Sequence, residues 1–228
     1  MKLLLTRRMQ EAPGIESFFF KPEAPLSWKA GQFFHWILHH RPTDERGSDR
    51  WFTVSAAPSE GEVRLTTRFT SEKGSSFKQA LGALKAGEAI EISDVDGDFV
   101  IDDFSKPYVF VAGGIGITPF RSILIEAAHA GAKPHVTLLW NNRDEHFPFK
   151  QELDALAANN PDFTIHYLVA PQKIDEEAVK KYVPDITTPA FYVSGPEPMV
   201  ESLGAMLKGM GVSPERLKQD WFPGYPAE

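Results

Sequence analysis

The sequence predicts two domains, an N-terminal antiparallel β-barrel or sandwich and a C-terminal α/β domain with a parallel sheet. Three observations support this fold class. The chain has 228 residues, which is enough for two small domains. Up to about residue 103, short strand-like runs are separated by Gly, Pro and charged turns, as in antiparallel β structure. After Lys106-Pro107, strands alternate with helices, which indicates βαβ units. We therefore place the domains at residues 1–104 and 105–228.

The first domain is expected to contain short strands and one helix. The strands are strand-like runs between turn residues, at 15–21, 33–38, 51–55, 62–69 and 89–93. The helix is indicated by Phe77, Leu81 and Leu84, which recur at helical spacing. It follows a Gly-Ser-Ser turn and ends before Gly87.

The second domain is expected to contain parallel strands that alternate with helices. The strands lie at 108–112, 135–140, 163–169 and 190–194, and the helices at about 118–130, 149–158, 175–182 and 198–210. In a sheet of this kind, ligands bind at the C-terminal ends of the strands. The residues that directly follow these strands are therefore candidates for a functional site.

The most informative segment is the end of the first parallel strand, where an apolar run changes into closely spaced glycines and then into a helix. Gly113, Gly114 and Gly116 allow a tight turn and a close approach of the backbone to a ligand. Thr118 is expected to be the helix N-cap, with Pro119 at the first helical position. The free N–H groups and the dipole of this helix start favour a phosphate. The segment predicts a dinucleotide site, although a glycine turn without a ligand has the same pattern.

The composition excludes several classes of protein and site. The formal net charge of -7 argues against a general nucleic-acid binder. The chain has no cysteine, which excludes disulfides, thiolate nucleophiles and cysteine-ligated zinc or iron–sulfur clusters. The seven histidines show no metal-ligand spacing, so no metal is expected. No segment resembles a signal peptide or a membrane span, and we expect a cytoplasmic monomer.

Two segments of the first domain contain residue types that suit a flavin. Arg50, Phe52 and Thr53 lie close together on one expected strand, with Thr53 pointing opposite to the other two. A flavin needs a cation for its pyrophosphate, a flat partner for its ring and a hydrogen-bond partner for N5. The helix start Gly74-Ser75-Ser76 offers N–H groups and hydroxyls to an anion. Taken separately, these segments also fit an ordinary edge strand and a serine N-cap.

Five motifs together resemble the ferredoxin–NADP reductase superfamily in their order and spacing, and the resemblance covers essentially the whole chain. The motifs are Arg50-Trp-Phe-Thr53, Val63-Arg-Leu-Thr-Thr-Arg68, Gly74-Ser-Ser76, Gly113-Gly-Ile-Gly-Ile-Thr-Pro119 and Ser194-Gly-Pro196. The resemblance implies an N-terminal β-barrel that binds FAD and a C-terminal domain that binds NADPH or NADH. It also implies that the nicotinamide stacks on the flavin where the two domains meet.

By this resemblance, the flavin site is formed by two strands and the helix start of the barrel. Arg50 and the helix start at Gly74, Ser75 and Ser76 would bind the FAD pyrophosphate. Phe52 would stand against one face of the flavin ring, and Thr53 would contact N5. The residues expected along the ribityl chain and the phosphate are Thr66, Thr67 and Arg68.

The same resemblance implies a nicotinamide-nucleotide site at the ends of the parallel strands. The residues expected to face the diphosphate or the nicotinamide are Gly113, Gly114, Gly116, Thr118 and Pro119. The residues expected to close the nicotinamide pocket are Ser194, Gly195, Pro196 and Glu197. After the second parallel strand, Asn142 and Arg143 favour the 2′-phosphate of NADPH, whereas Asp144 and Glu145 favour the 2′-hydroxyl of NADH. We favour NADPH slightly.

Three features depart from the pattern of the family. Phe52 replaces the usual tyrosine, so stacking is retained and the phenol hydrogen bond is lost. Ser194 replaces a common cysteine near the hydride path, so a thiol is not essential. The C-terminal sequence resembles that of bacterial single-chain reductases, and Phe222 is expected to reach the second flavin face, with Trp221 and Tyr225 as rivals. A terminal aromatic clip that packs on the sheet is the alternative. These considerations place Thr53, Ser194 and Phe222 closest to hydride transfer.

The implied activity is that of an FAD-dependent NAD(P)H oxidoreductase, which passes hydride from the nicotinamide to flavin N5. Electrons then go to a separate acceptor such as ferredoxin, flavodoxin or a small molecule. The enzymatic alternatives are NAD(P)H:flavin, ferric and quinone reductases, and the non-enzymatic one is a flavin-binding electron-transfer module without nicotinamide turnover. An acidic acceptor needs a local basic patch. The candidates for that patch are Arg41, Arg46, Lys73 and Lys78.

Overall fold

The computed structural model describes residues 1–69 and 74–222, without the side chain of Phe222. The expectations for Lys73, for the side chain of Phe222 and for Tyr225 therefore lie outside the described residues. Within those residues, the helices are all too short or too polar to cross a bilayer.

In the described part of the chain, six antiparallel strands form the N-terminal domain. They are β1 (Lys2–Ala12), β2 (Ile15–Pro22), β3 (Phe33–Ile37), β4 (Asp49–Thr53), β5 (Val63–Arg68) and β6 (Ala89–Asp96). Their spatial order is β4-β3-β6-β1-β2-β5, and a bridge between Val54 and Leu65 joins the two outer strands. The sheet is closed by this bridge, so the domain is a barrel and not a sandwich.

Aromatic side chains fill the barrel. The largest fully buried ones on its strands are Phe18, Phe20, Phe34 and Trp36. Helix α1 (Ser76–Ala83) packs on this core through Phe77 and Leu81, which are both buried. The helical spacing of those two residues is therefore explained by the barrel that they contact.

The C-terminal domain contains a parallel sheet with the strand order β11-β10-β7-β8-β9. The strands are β7 (Tyr108–Gly113), β8 (Val136–Asn142), β9 (Phe163–Val169), β10 (Ala190–Pro196) and β11 (Leu217–Phe222). The helices are α2 (Thr118–His129), α3 (Lys150–Ala158), α4 (Glu176–Tyr182) and α5 (Glu197–Gly209). Alternate residues of β7 enter two different cores, with Phe110 on the α2 and α3 side and Val111 on the α4 and α5 side. The sheet is thus covered on both faces, and the expected fold class is confirmed.

Two strands were not expected from the sequence. In β1, the buried residues are Leu3, Leu5 and Ala12, and most of the other positions are exposed, so the alternation is too short to indicate a strand. Strand β11 contains the polar run Lys218-Gln219-Asp220, which lacks the continuous apolar character of a buried parallel strand. It pairs with β10 at the edge of the sheet.

A buried arginine of α2 connects the two domains. Arg121 is 1% exposed, yet all of its N–H donors are bonded. Nη1 donates to the carbonyl oxygen of Ser55, which follows β4, at 2.6 Å and to Glu60 at 2.7 Å. Nη2 donates to Glu60 at 2.7 Å and to Glu152 at 2.6 Å, and Nε donates to Glu152 at 2.8 Å. Burial opposes the charge, but the hydrogen bonds to the two carboxylates outweigh burial and raise the pKa of Arg121.

Two further hydrogen bonds join α2 to the barrel. The hydroxyl of Ser122 donates to the carbonyl oxygen of Ala56 at 2.7 Å. The backbone N–H of Ser59 donates to the carboxylate of Glu126 at 2.9 Å. Together with Arg121, these contacts attach α2 to the segment that directly follows β4.

Replacement of Arg121 by methionine should lower the free energy of unfolding by about 2–4 kcal/mol, because Glu60 and Glu152 would lose their cationic partner. Denaturant unfolding followed by circular dichroism measures the loss. Lys150→Met is the control, because it breaks an exposed ion pair with Asp154 and should cost less than about 1 kcal/mol. Equal losses in the two variants would contradict a special role for Arg121.

Candidate functional site

The end of β4 presents the expected flavin-binding side chains on two faces. Arg50 and Phe52 point towards the barrel interior, where Phe52 packs on Phe77 with ring centroids 5.7 Å apart. Thr53 lies opposite Phe33 on the outer face. Phe52 is half-buried in the barrel core, so only the remaining part of its ring is available for stacking.

Two buried threonine hydroxyls have no hydrogen-bond partner among the described residues. They belong to Thr53, which is 3% exposed, and to Thr67, which is 1% exposed. An unsatisfied buried hydroxyl costs about 1–3 kcal/mol, and most buried polar atoms in native proteins are paired. Both threonines lie on strands that the sequence assigns to flavin binding. A ligand that offers hydrogen-bonding atoms at these positions would remove the penalty.

An aspartate that the sequence did not single out contacts both parts of the expected pyrophosphate site. Asp44 accepts a hydrogen bond from the backbone N–H of Ser76, at the start of α1, at 2.8 Å. The guanidinium of Arg50 lies 3.4 Å from the other carboxylate oxygen. The N–H of Ser76 is the largest cause that lowers the pKa of Asp44 to about 2. Arg50 and the helix start therefore share one anionic partner within the protein, the carboxylate of Asp44.

The hydroxyl of Thr66 has a structural task that the sequence did not reveal. It lies 2.7 Å from the hydroxyl of Ser17 and 2.7 Å from that of Ser55. Arg64, the cation of this network, donates to Ser17 at 2.9 Å and pairs with Glu11. The Thr66 hydroxyl is therefore engaged within the protein, in contrast to those of Thr53 and Thr67, and the contact of Thr66 with the flavin stays a prediction.

Two described members of the expected basic patch, Arg46 and Lys78, are engaged in the barrel. Arg46 pairs with Asp44 at 3.2 Å. Lys78 donates to the carbonyl oxygen of Arg68 at 2.9 Å. These contacts hold the loop before β4 and the end of β5 against α1, so Arg46 and Lys78 serve local structure.

The glycine-rich segment after β7 forms a 3₁₀ turn, Gly114–Ile117, that continues directly into α2. The expectation that Thr118 is the N-cap is wrong, because Ile117 before it already has helical backbone angles. The hydroxyl of Thr118 donates instead to the carbonyl oxygen of Ile115 at 3.2 Å. Pro119 is the second residue of α2, one position later than expected.

The glycines of this segment allow the backbone to turn and also to pack closely against β10 and α5. A Cβ atom on Gly116 would lie 2.2 Å from the carbonyl oxygen of Ser194, so the turn rests directly on the end of β10. Gly113 is similarly close to Met199 of α5. Gly114 has a φ of +53°, and its carbonyl oxygen accepts a hydrogen bond from the indole of Trp140 at 3.1 Å. Among the three glycines of this turn, Gly114 is thus the one in the left-handed backbone conformation, which favours glycine.

Arg68 reaches from the barrel into the nucleotide domain. Its Nη2 donates to Oδ1 of Asn142 at 3.2 Å and lies beside Gly114. The amide nitrogen of Asn142 donates to the carbonyl oxygens of Asp144 and His146, each at 3.1 Å. The side chain of Asn142 therefore holds its own loop and positions Arg68, and the exposed Arg143 follows it.

A second residue missed from the sequence is Asp220. It lies beside Ser194 in the parallel register of β10 and β11, and the Ser194 hydroxyl donates to its carboxylate at 3.3 Å. Burial raises the pKa of Asp220 to about 6, with a further contribution from Asp98, although the bond from Ser194 opposes the shift. An ionisable group with such a pKa can exchange a proton near neutral pH. Gly195 and Pro196 complete β10, and Glu197 begins α5.

Comparisons with known proteins agree with this geometry. Residues 110–204 match the family model of the oxidoreductase NAD-binding domain. A flavohemoprotein from Pseudomonas putida is 27% identical over 232 residues, which cover 96% of this chain and 58% of the relative. A solved ferredoxin-NADP+ reductase from Plasmodium falciparum with 2′P-AMP has a TM-score of 0.83 at 14% identity, covering 97% of this chain and 95% of that chain. This chain therefore has the fold of the ferredoxin-NADP+ reductases, and its C-terminal domain is similar to the oxidoreductase NAD-binding domain.

The structural likeness covers both domains. The flavohem-like FAD/NAD binding domain of nitric oxide dioxygenase from Vibrio cholerae has a TM-score of 0.81 at 21% identity, over 97% of this chain and 98% of that chain. The chain spans only 58% of the length of the Pseudomonas putida flavohemoprotein. The shared part is therefore the two-domain unit of barrel and parallel sheet.

Asp220→Asn should raise the free energy of unfolding by about 1–2 kcal/mol near pH 8 and have almost no effect near pH 4. The folded-state pKa of about 6 lies above the unfolded value, so ionisation destabilises the fold above that pKa. This cost disappears as the pH falls through about 6 towards the unfolded pKa of about 4. Urea unfolding at both pH values tests the expectation, with the exposed Glu201→Gln as control. A variant that is less stable near pH 8 would contradict it.

Proposed function

We propose that the protein is an FAD-dependent oxidoreductase that accepts hydride from NADPH or NADH and passes electrons to a separate acceptor. The observation that carries this proposal is the buried hydroxyl of Thr53, which has no hydrogen-bond partner among the described residues. Thr53 precedes Ser55 by two residues, and the Ser55 carbonyl binds Arg121 of the nucleotide domain. The hydroxyl is therefore close to the junction of the two domains. Similarity to a flavohemoprotein and to a flavohem-like FAD/NAD binding domain supports a flavin as its partner.

FAD supplies the redox chemistry in this proposal, because amino-acid side chains of this chain do not accept hydride. Residues 1–104 bind the flavin, with Thr53 as the partner of N5 and Phe52 against the ring. Arg50 and the start of α1 bind the pyrophosphate, as their joint contact with Asp44 supports. The protein thus contributes orientation and hydrogen bonding.

Residues 105–228 bind the nicotinamide nucleotide in this proposal. Arg68 lies beside Gly114, so its charge supports a phosphate of the nucleotide and not the ribityl chain of FAD. The candidates for contact with a 2′-phosphate are Asn142 and Arg143, in the loop that follows β8, and an arginine at this position favours NADPH. Ser194 and Asp220 border the nicotinamide, and Asp220 is the group that can hold or release a proton there.

The second flavin face is assigned to the C-terminal aromatic segment. Trp221 is 51% exposed at the end of β11, in register with Gly195. Phe222 is in register with Pro196, at the same end of the sheet. We therefore keep both residues as candidates for the aromatic partner of the flavin.

Loss of the Thr53 hydroxyl should slow reduction of bound FAD by NADPH about tenfold or more, while FAD affinity changes less than about threefold. Thr53→Val removes the hydroxyl and keeps the shape, and Thr53→Ser should retain the rate. Anaerobic rapid mixing, followed at the flavin absorption band, measures reduction. In the apoprotein, Thr53→Val should not lower the free energy of unfolding, because no hydrogen bond within the described residues is lost.

Thr164, an exposed threonine of β9, provides the matched control for this experiment. Thr164→Val should leave both the rate and FAD affinity unchanged. A Thr53→Val variant that reduces its flavin as fast as the parent protein would remove Thr53 from the proposed mechanism.

A second candidate function is that of a flavin reductase, in which the flavin is a substrate that leaves after reduction. The contact of Asp44 with Arg50 and with Ser76 favours this candidate, because a carboxylate at an anion site repels the pyrophosphate of FAD. Retention of FAD through gel filtration would favour the prosthetic form, and its loss would favour the reductase.

Asp44→Asn should tighten FAD binding about tenfold, since it removes the competing negative charge and keeps a side chain that can cap α1. Calorimetric titration of the apoprotein measures the affinity. Riboflavin, which has no pyrophosphate, is the control ligand, and its affinity should be the same for both proteins. Weaker FAD binding by the variant would show that Asp44 supports the flavin site and does not compete with it.

A further inference from the structure

We propose that an acidic–aromatic patch on the outer face of the barrel is the docking surface for a basic, one-electron carrier protein. The patch lies on β3, β4 and β6, and it consists of Phe33, His35, Asp49, Trp51, Asp94 and Asp96. This inference rests on the proposed function, because it identifies the chemical class of the separate acceptor.

The apolar part of the patch is an ordered aromatic cluster. Trp51 is 47% exposed, although tryptophan is usually covered in a monomer. It stacks on His35 with ring centroids 4.4 Å apart and meets Phe33 edge-on at 5.3 Å. His35 is in turn held by hydrogen-bond distances of 2.8 Å to Asp49 and 2.7 Å to Ser93. A fixed, exposed tryptophan of this kind is typical of the centre of a protein interface.

The polar part of the patch is acidic. A carboxylate oxygen of Asp49 lies 2.8 Å from Nε2 of His35, and one of Asp94 lies 3.9 Å from Nδ1. Asp96 is directly opposite Phe33 in the pairing of β3 with β6, so it lies on the same face of the sheet. The three carboxylates therefore surround the aromatic cluster.

The surrounding sequence strengthens this negative charge. Residues 86–105 contain seven acidic residues and no lysine or arginine. Asp98 and Asp102 are partly neutralised by Lys218 and Lys29, which reach them from other segments. Asp49 and Asp94 form ion pairs with His35. Complementarity of charge therefore selects a partner with a basic surface, whereas an acidic ferredoxin or flavodoxin would be repelled.

The patch adjoins the position proposed for electron release. Thr53 and Trp51 are two residues apart on β4, so their side chains lie on the same outer face, about 7 Å apart along the strand. Thr53 is also directly opposite Phe33, which belongs to the patch. A carrier seated on the patch would therefore be next to a flavin that contacts Thr53.

The number of electrons that each molecule gives or accepts fixes the stoichiometry of the proposed reaction. One NADPH or NADH provides a hydride, which carries two electrons, to the flavin. The reduced flavin then gives one electron to each of two oxidised carrier molecules in succession. The net reaction oxidises one nicotinamide nucleotide, reduces two carriers and releases one proton.

Cytochrome c is a suitable probe, because it is a basic protein that accepts one electron. The FAD-loaded protein, reduced anaerobically, is mixed rapidly with cytochrome c at low and high salt. We expect the second-order rate constant to fall as salt rises and to fall at least about tenfold in the Asp94→Lys/Asp96→Lys double variant. Reduction of an acidic plant-type ferredoxin should instead become faster in that variant. The matched control is Glu177→Lys/Glu201→Lys, which makes the same charge change on exposed helices of the nucleotide domain.

Two additional measurements separate this proposal from the proposed function. Reduction of bound FAD by NADPH should be equally fast in the double variant and in the parent protein. If NADPH does not reduce the FAD of the parent protein, the proposed function is overturned, whereas the docking surface is not. Calorimetric binding of oxidised cytochrome c, which requires no turnover, should weaken in the double variant and in Trp51→Ser. Equal affinity of the parent protein, the double variant and the control variant for cytochrome c would overturn the docking surface. It would also be overturned if the control variant lost as much affinity as the double variant.

Discussion

The buried guanidinium of Arg121 is the interaction on which the arrangement of the two domains depends. It binds Glu60 and the Ser55 carbonyl on the barrel side and Glu152 on the side of the parallel sheet. A buried charge that loses its partners costs several kcal/mol, so the domains cannot shift apart at this point without a large penalty. The relation between β4 and the glycine turn is therefore fixed by the protein itself. Hydride transfer depends on such positioning.

In the protein without a cofactor, some polar groups of the candidate site are buried at a cost in free energy, and another is already paired. Thr53 and Thr67 have buried hydroxyls without partners among the described residues. Asp220 is held in surroundings that oppose its ionisation. Arg50, by contrast, already has an anionic neighbour in Asp44. In the proposed function, Thr53 and Thr67 gain hydrogen-bond partners from the bound cofactor, whereas Arg50 exchanges one anion for another. This contrast is the reason that flavin affinity and flavin reduction are expected to depend on different residues.

The sequence predicted the parallel domain well, because a buried strand, a glycine turn and a helix are adjacent in the chain and have distinct periods. The orientation of Thr53 and the position of helix α1 also follow from local alternation and spacing, whereas closure of the barrel depends on the bridge between Val54 and Leu65. The contacts of Asp44, Arg121 and Asp220 could not be predicted, because their partners are far away in the chain. Asp44 binds Ser76 across 32 residues, and Arg121 binds Ser55 across 66. The assignment of Thr118 as an N-cap failed because a 3₁₀ turn before α2 already has helical geometry.

The central claim is that the two domains bring a nicotinamide nucleotide and a flavin together for hydride transfer. Anaerobic titration of the FAD-loaded protein with NADPH, and separately with NADH, tests this claim most directly. We expect about one equivalent of at least one nucleotide to bleach the visible absorption of the bound flavin, because one hydride carries both electrons that the flavin accepts. A protein that binds FAD but keeps its full absorption with an excess of either nucleotide would contradict the account.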